Sequence, residues 1–437
     1  MNSKCETVQL KQDNHRDRTK LREYPGAFFM RPLASAANCC QAAEAIAPSY
    51  LIHMKRPSMT HGVDSRRTTL HSGRWAAAQH LASEWCRTAT LNSVALVTGT
   101  RDSVEGPVHF GRQRPDQEAP LRDDALFLVA SITKPIVAMG AMLLIERGQL
   151  TLADRVTDFI PEFGHNGKHG VEIRHLLTHT SGLPDMLPDN LELRQANAPL
   201  TRFVERTCEE PLAFPPGRGV QYQSMGFTVL GEIIARVSGR PCRDLLQQEL
   251  FEPLGMLDTA LGALDDWFVG DDPTIDRLSI VQVPIEQRKG TTWNWNSRYW
   301  RQLGAPWGGL LTTTRDLATF AQFLLRGGTT RAGKRLLSPA AIAASTRNQL
   351  SAMREVPDDE RRCRPWGLGW RLNWPAHSAN FGDLLGPNTF GHWGATGTVL
   401  WIDPDQQLFA VILTTTPQEP SGRSLSRLSN AIAAAWF

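Results

Sequence analysis

Leu128-Val-Ala-Ser-Ile-Thr-Lys134 is the stretch on which the reading of this 437-residue chain turns. Ser131 and Lys134 open a run of helix-forming residues that ends at Gly148. Ile136, Met139, Leu143 and Arg147 fall at i, i+3, i+7 and i+11, with Met142 and Leu144 widening the stripe. This spacing predicts an amphipathic helix over 131–147. Pro135 sits in the first turn, where a missing N–H costs little, and Gly148 supplies the stop. Residues three apart share a helix face, so Ser131 Oγ and Lys134 Nζ can meet. A serine hydroxyl is a weak nucleophile until a base takes its proton. A lysine can be that base if burial lowers its pKa from about 10.4. Free N–H groups at the helix start suit a developing oxyanion. Alone, a Ser-x-x-Lys tetrad arises about once by chance in a chain this long, and an ordinary surface helix turn explains it equally.

Outward from this helix the pattern changes to strands on both sides. Upstream, Trp75–Trp85 predicts a helix with Ala78, Leu81 and Trp85 on one side. Asn92–Thr98 and Val108–Gly111 read as strands. Downstream, residues 151–345 read as helices and loops, including a helix at Phe227–Val237 and a long irregular loop over 265–307. Near the C-terminus, Thr398–Ile402 and Leu408–Thr414 flank Asp403-Pro404-Asp405, a hairpin signal. A helix over 423–436 closes the chain. Strands at both ends imply one sheet built from distant segments, with a helical region inserted between them.

Two further segments can carry chemistry. Gln221-Tyr-Gln-Ser224 follows the turn-rich Phe214-Pro-Pro-Gly217 and precedes a helix, so Tyr222 can reach a cleft and relay a proton. A packed aromatic with one satisfied hydroxyl is the competing reading. Gly391-His-Trp-Gly-Ala-Thr-Gly397 runs into a strand, and its small residues let the backbone approach a ligand closely. An N–H from this segment can pair with that of Ser131 as an oxyanion hole; a glycine-rich strand entry with an incidental histidine is the alternative.

Taken in order, these three segments resemble the serine β-lactamase and penicillin-binding-protein superfamily, in particular its class C β-lactamase and esterase branch. The resemblance extends over about 75–437. It includes Leu144-Ile-Glu-Arg-Gly-Gln-Leu150, Ile173-Arg-His-Leu-Leu-Thr-His-Thr-Ser-Gly-Leu-Pro184, Phe251-Glu-Pro-Leu-Gly-Met256, Gly308-Gly-Leu-Leu-Thr-Thr313, Leu337-Ser-Pro339 and Trp401-Ile-Asp-Pro404. It implies an α/β fold: a mainly antiparallel sheet flanked by helices, with an inserted, mostly helical region. It also implies Ser131 as nucleophile, Lys134 as base or proton relay, and Tyr222 as the acid or base serving the leaving group. His392 stands at the third motif's Lys or His. Ala395 gives the second oxyanion N–H beside that of Ser131, and Ser224, Trp393 and Gly394 contact substrate. Two positions depart from the family. Ser224 replaces the usual Asn, and Trp393 replaces a small Thr or Ser. Both changes disfavour β-lactam hydrolysis more than ester hydrolysis.

The reading is therefore a serine hydrolase cleaving esters or amides through an acyl-Ser131 intermediate. Carboxylesterase ranks first, with β-lactamase or D-amino-acid peptidase as the alternative. A non-catalytic binding or sensor protein on the same fold is the reading from another class, because fold alone does not fix function.

Composition fits a small-molecule or peptide substrate. The 47 basic and 44 acidic residues nearly balance, leaving no electrostatic footprint for nucleic acid. No apolar run reaches membrane-spanning length. Seven cysteines without a CxxC pair support neither a disulfide framework nor a zinc knuckle. His175 and His179 are four apart, as on a zinc-binding helix, but no HExxH accompanies them and no metal site is expected. No cofactor fingerprint is present. Trp293, Trp295, Tyr299, Trp300 and Trp307 form an aromatic stretch suited to packing or to lining an acyl pocket. Residues 1–72 lack periodicity and read as an extension, disordered or a start-site artefact, before a hydrolase domain over 73–437. Without an apolar segment after the charged N-terminus, a cytoplasmic location is expected; a misassigned start would leave a periplasmic one open. The sequence does not specify the oligomeric state.

Overall fold

The computed structural model describes residues 68–283, 293–374, 381–417 and 422–437. Most of the proposed extension, residues 1–67, lies outside them. Along the chain come α1 (Ser72–Arg87), β1 (Ser93–Thr100), β2 (Val104–Gly111), β3 (Phe127–Leu128) and α2 (Thr133–Glu146). α3 (Leu200–Glu209), α4 (Met225–Ser238), β4 (Ala260–Leu261), β5 (Leu310–Thr312) and α5 (Thr314–Leu325) follow. The chain ends with β6 (Arg371–Leu372), β7 (Phe390–Gly394), β8 (Thr398–Asp403), β9 (Leu408–Thr414) and α6 (Arg423–Ala433).

The main sheet is six-stranded in the order β2-β1-β9-β8-β7-β6. Every pairing in it is antiparallel, so the first and last thirds of the chain meet where β1 pairs β9. The alternation of β8 and β9 explains the layering. Leu400, Ile402, Phe409, Val411 and Leu413 enter the large core, on the side of the inserted helices. Val399, Trp401, Leu408, Ala410 and Ile412 enter a second core on the other face. There they meet Trp75, Ala78 and Ala82 of α1 and Leu425, Leu428 and Ile432 of α6. The β8–β9 turn is held as expected: Asp403 Oδ1 accepts the N–H groups of Asp405 and Gln406 at 3.0 and 3.1 Å.

Three expectations need correction. The 131–147 helix is not amphipathic: every residue from Thr133 to Leu144 is buried. A helix apolar all round belongs at the centre of a core rather than on its surface. Arg147 lies beyond it as the C-cap and pairs with Glu249. The inserted region also adds β4 and β5 to β3 as a second sheet, β3-β5-β4, whose strands of two or three residues are too short to show alternation. Finally, the described part of 265–307 is not wholly irregular, since it includes a helix at Arg298–Leu303.

The described N-terminus is tied to the C-terminus. Thr69 N–H donates to Phe437 O at 2.8 Å, Phe437 N–H returns to Thr69 O at 3.1 Å, and His71 N–H donates to Ala435 O at 2.7 Å. A boundary at 72/73 cuts through the start of α1. A chain starting at residue 73 loses these three bonds, each contributing about 1 kcal/mol. It should melt on the order of 5 °C below one starting at residue 66. Equal melting temperatures would show that this clip lies outside the cooperative unit.

Candidate active site

Ser131 lies in a short 3-10 turn, Ala130–Ile132, that leads into α2. Ala130 before it has φ +46°, a left-handed conformation that costs a non-glycine residue energy and marks a constrained site. Lys134, on the first turn of α2, is fully buried. Its Nζ reaches Ser131 Oγ at 3.1 Å and Trp307 O at 2.8 Å. No carboxylate among the described residues touches it. Burial pulls its pKa down to about 7, and the charge of Asp185 works against that shift. A lysine placed this way is neutral in part at physiological pH and can accept the serine proton.

Tyr222 enters the site from the loop before α4. The preceding signature segment holds this loop in place. Gln221 N–H donates to His179 O at 2.9 Å, Gln223 N–H to His179 Nδ1 at 3.1 Å, and Ser224 N–H to Asp185 O at 3.2 Å. The Gln223 amide donates to the carbonyls of His175 and Leu176. The Tyr222 ring lies 4.7 Å from Lys134 Nζ, and its hydroxyl shares a hydrogen bond with Ser131. Burial pushes its pKa well above the ordinary value, and the bond to Ser131 only partly offsets this. Tyr222 is therefore a protonated donor at neutral pH, leaving Lys134 as the group able to accept a proton.

The third segment comes from β7 and the turn after it. Thr396 Oγ1 donates to Leu128 O at 2.6 Å and Thr398 Oγ1 to Val129 O at 3.0 Å. These bonds clamp the β7–β8 turn onto the backbone just before Ser131. Gly394 is required there, because a Cβ would stand 2.2 Å from Val129 O. Ala395, the next residue, is exposed in the turn. His392 is buried with its ring 6.0 Å from Tyr222. Its Nδ1 meets Trp393 O at 2.7 Å. A carbonyl only accepts, so Nδ1 carries the proton and Nε2 is a bare acceptor. Burial, reinforced by Lys134, pulls its pKa down to about 3. His392 is thus neutral and brings no positive charge to this motif. Trp393 leaves the strand on the opposite face from His392. It packs edge-on against Phe381 at 5.6 Å, with the Arg371 guanidinium 4.2 Å above its ring. The substrate contact expected of Trp393 is to be set against this: strand alternation commits its ring to these partners.

Sequence reasoning missed several groups beside these residues. Asp185 Oδ1 accepts Ser224 Oγ at 2.6 Å, so the hydroxyl standing at the family's Asn is already engaged. Asp185 directly follows the signature segment, which was the available signal. His179 is buried against Tyr222 and Trp366, with ring centroids 4.7 and 4.1 Å away. It has φ +60° and lies past the end of the Ile173–Leu177 helix that carries His175, so the two histidines share no helix face. Arg371 has no acidic partner among the described residues, yet it lies close enough to the site to affect His179, Tyr222 and His392. Nothing in the sequence marked it. In the aromatic stretch, Trp293, Trp300 and Trp307 are buried against one another, and Tyr299 donates to Ala198 O at 2.8 Å.

With this geometry in place, comparison with known proteins gives the lineage. A family model described as Beta-lactamase matches residues 86–434. The chain belongs to the beta-lactamase family. Among family relatives, Esterase EstB of Burkholderia gladioli is 30% identical over 332 residues, covering 70% of this chain and 81% of that protein. A Salmonella agona protein, named provisionally as a D-alanyl-D-alanine carboxypeptidase, is 27% identical over 318 residues, covering 68% and 71%. In fold, the beta-lactamase-family domain matches a penicillin-binding protein homologue from Caulobacter crescentus with TM-score 0.69 at 23% identity, covering 84% of this chain and 99% of that one. It matches a family VIII carboxylesterase with TM-score 0.67 at 20% identity, covering 83% and 99%. The protein is a serine hydrolase of this family. No helix among its described residues is long and apolar enough to cross a membrane.

The buried lysine makes a prediction about stability. The folded-state pKa of Lys134 is depressed, so the unfolded chain binds the extra proton between about pH 7 and 10.4. Its burden on the fold is full below pH 7 and fades as pH rises through that window. Lys134→Met removes a burden of several kcal/mol, against about 1–3 kcal/mol for leaving Trp307 O without its donor. The variant should melt higher than wild type at pH 6, with a smaller gain at pH 9. A lower melting temperature at pH 6 would sink this account of Lys134.

Proposed function

We propose that the protein is a carboxylesterase that works through an acyl-Ser131 intermediate. The observation carrying this reading is the buried contact of Lys134 Nζ with Ser131 Oγ at 3.1 Å. Neutral Lys134 accepts the Ser131 proton as Oγ attacks the ester carbonyl. The N–H groups of Ser131 and Ala395 receive the developing oxyanion, held in range by the clamp from Thr396 and Thr398. Tyr222, protonated and hydrogen-bonded to Ser131, passes a proton to the departing alcohol and is reprotonated from Lys134. Water then attacks the acyl group through the same relay in reverse. Neutral His392 serves as a hydrogen-bond acceptor beside Tyr222.

The preference for esters rests on Ser224. An amide or lactam needs a firm partner for its amide group and a protonated, poorer leaving group. Ser224 gives its hydroxyl to Asp185 at 2.6 Å and has no amide to offer. The likeness to the Burkholderia gladioli esterase supports the same choice. One observation favours a second reading as a D-amino-acid peptidase. Burial pulls Arg371 down to about 10, which leaves it charged at neutral pH, and it lies beside Tyr222 without an acidic partner among the described residues. A substrate ending in a carboxylate suits such a cation.

Ser131→Ala should lower kcat by a factor on the order of 10³ or more and abolish fluorophosphonate labelling. In the wild type, kcat/KM should fall with acid about tenfold per pH unit below 7, as Lys134 takes up its proton. Retained labelling in the variant, or a flat profile from pH 5 to 8, would remove Ser131 or Lys134 from these roles.

Substrate choice is tested separately. Short-chain p-nitrophenyl esters should exceed nitrocefin in kcat/KM by at least roughly tenfold, the discrimination expected when one buried polar contact is missing. Ser224→Asn should narrow that ratio. Nitrocefin as the better substrate would replace the esterase reading with the β-lactamase one, and D-alanyl peptides as the best substrates would favour the peptidase.

A further inference from the structure

Arg194 is a buried cation that the chemistry above does not use. It is 6% exposed and has no acidic partner among the described residues. Its guanidinium carbon lies 4.6 Å from the ring centroid of Trp293 and 4.4 Å from that of Trp300. Both indoles lie against the charge and, with centroids only 5.6 Å apart, meet it from neighbouring directions; such ring contacts give the N–H donors no lone-pair acceptor. Among the described residues Nε–H has no partner, and one Nη reaches only Met186 Sδ at 3.4 Å, a weak acceptor. The described surroundings offer more donors than acceptors, because the indole N–H groups of Trp293, Trp300 and Trp307 are also buried without partners among the described residues. Burial pulls the Arg194 pKa down to about 10, opposed by Tyr299 and Asp185, so the group is charged at neutral pH.

The cluster adjoins the reacting centre. Trp300 packs on Trp307 with centroids 6.2 Å apart, and the Trp307 carbonyl accepts Lys134 Nζ. Asp185 is the nearby acidic group, and its Oδ1 is held by Ser224. We propose that Arg194, held against Trp293 and Trp300, is the subsite for a carboxylate at the far end of the substrate's acyl group, making hemiesters of dicarboxylic acids the favoured substrate class. A carboxylate accepts through two coplanar oxygens and fits the guanidinium fork; a neutral acyl tail leaves those donors buried and unpaired. Trp300 and Trp307 link Arg194 to the carbonyl that holds Lys134 without bringing the two cations into contact, so an acyl chain of several carbons, as in adipate, is the choice of probe.

This inference rests on the esterase reading, and the test separates the two. The probes are p-nitrophenyl hydrogen adipate, its neutral methyl ester and p-nitrophenyl butyrate. In the wild type, kcat/KM for the anionic adipate should exceed that for its methyl ester by at least about tenfold, mainly through KM. Arg194→Met should bring the ratio near one, and Arg194→Lys, which keeps the charge without the fork, should leave it in between. Binding is read independently: monomethyl adipate should raise the wild-type melting temperature more than dimethyl adipate does, and this difference should vanish in Arg194→Met. If no ester is turned over but this binding difference holds, the esterase reading falls and the carboxylate subsite stands. If butyrate is hydrolysed and the wild-type ratio is one, the subsite is refuted and the esterase reading stands. A ratio unchanged in Arg194→Met, with both adipates losing rate in parallel, refutes it too, because a purely structural arginine would behave that way. Should Arg194→Met fail to fold, the wild-type ratio and Arg194→Lys decide the matter.

Discussion

The rest of the site depends on keeping an amine out of water without giving it a carboxylate to pair with. Lys134 Nζ has two oxygen partners, one hydroxyl and one carbonyl, and both are neutral. A contacting acid would hold the lysine charged and useless as a base. Asp185 stands off far enough that desolvation remains the larger effect. Achieving this needs a helix buried on every side, which is why α2 departs from an amphipathic pattern and why its sequence is nearly all apolar after Lys134.

Three segments far apart in the chain must then converge on that amine. The convergence is enforced by groups that take no part in chemistry. Gln223 and His179 hold the Tyr222 loop, and the threonine hydroxyls of the 391–398 segment grip the carbonyls ahead of Ser131. The left-handed Ala130 and the side-chain-free Gly394 mark where two backbones are pressed together. Such strain persists only when surrounding contacts over-determine the geometry. The signature segment at 173–184 is best understood in this way, as a scaffold for the tyrosine and not as a source of reacting groups.

Much of this was legible in sequence because it is local. The Ser131–Lys134 spacing is a helix property, and the strands β1, β8 and β9 show their apolar character within a few residues. Burial of α2 was legible and was missed: beside the stripe, Val137, Ala138 and Ala141 make the helix apolar on every side after Lys134. The β3-β5-β4 sheet was invisible because its strands are shorter than one full alternation. Asp185, Arg371 and Arg194 escaped for a different reason. Each matters through a neighbour distant in sequence, and a lone charged residue has no pattern to betray it. Trp393 was expected to contact substrate, and strand alternation after His392 turns its ring towards Phe381.

The charges around the site differ from those implied by its motifs. A lysine in the third motif would put a cation directly beside the tyrosine. Here that position is His392, too deeply buried to ionise, and the nearby positive charge comes from Arg371 on the adjacent strand. The usual asparagine is likewise replaced by a hydroxyl committed to a carboxylate. Both changes move charged and polar functions away from the position of the scissile bond and onto flanking elements. Near the bond, the site keeps the proton relay and oxyanion donors that any acyl transfer needs. Further out, Arg194 and Arg371 lie against indole rings, and the proposed reading of substrate carboxylates rests on these two cations. The pKa of Lys134 is governed first by burial and then, in the opposite sense, by the charge of Asp185. Separating recognition from the base in this way lets charge selectivity vary while the pH at which the enzyme works stays set by burial.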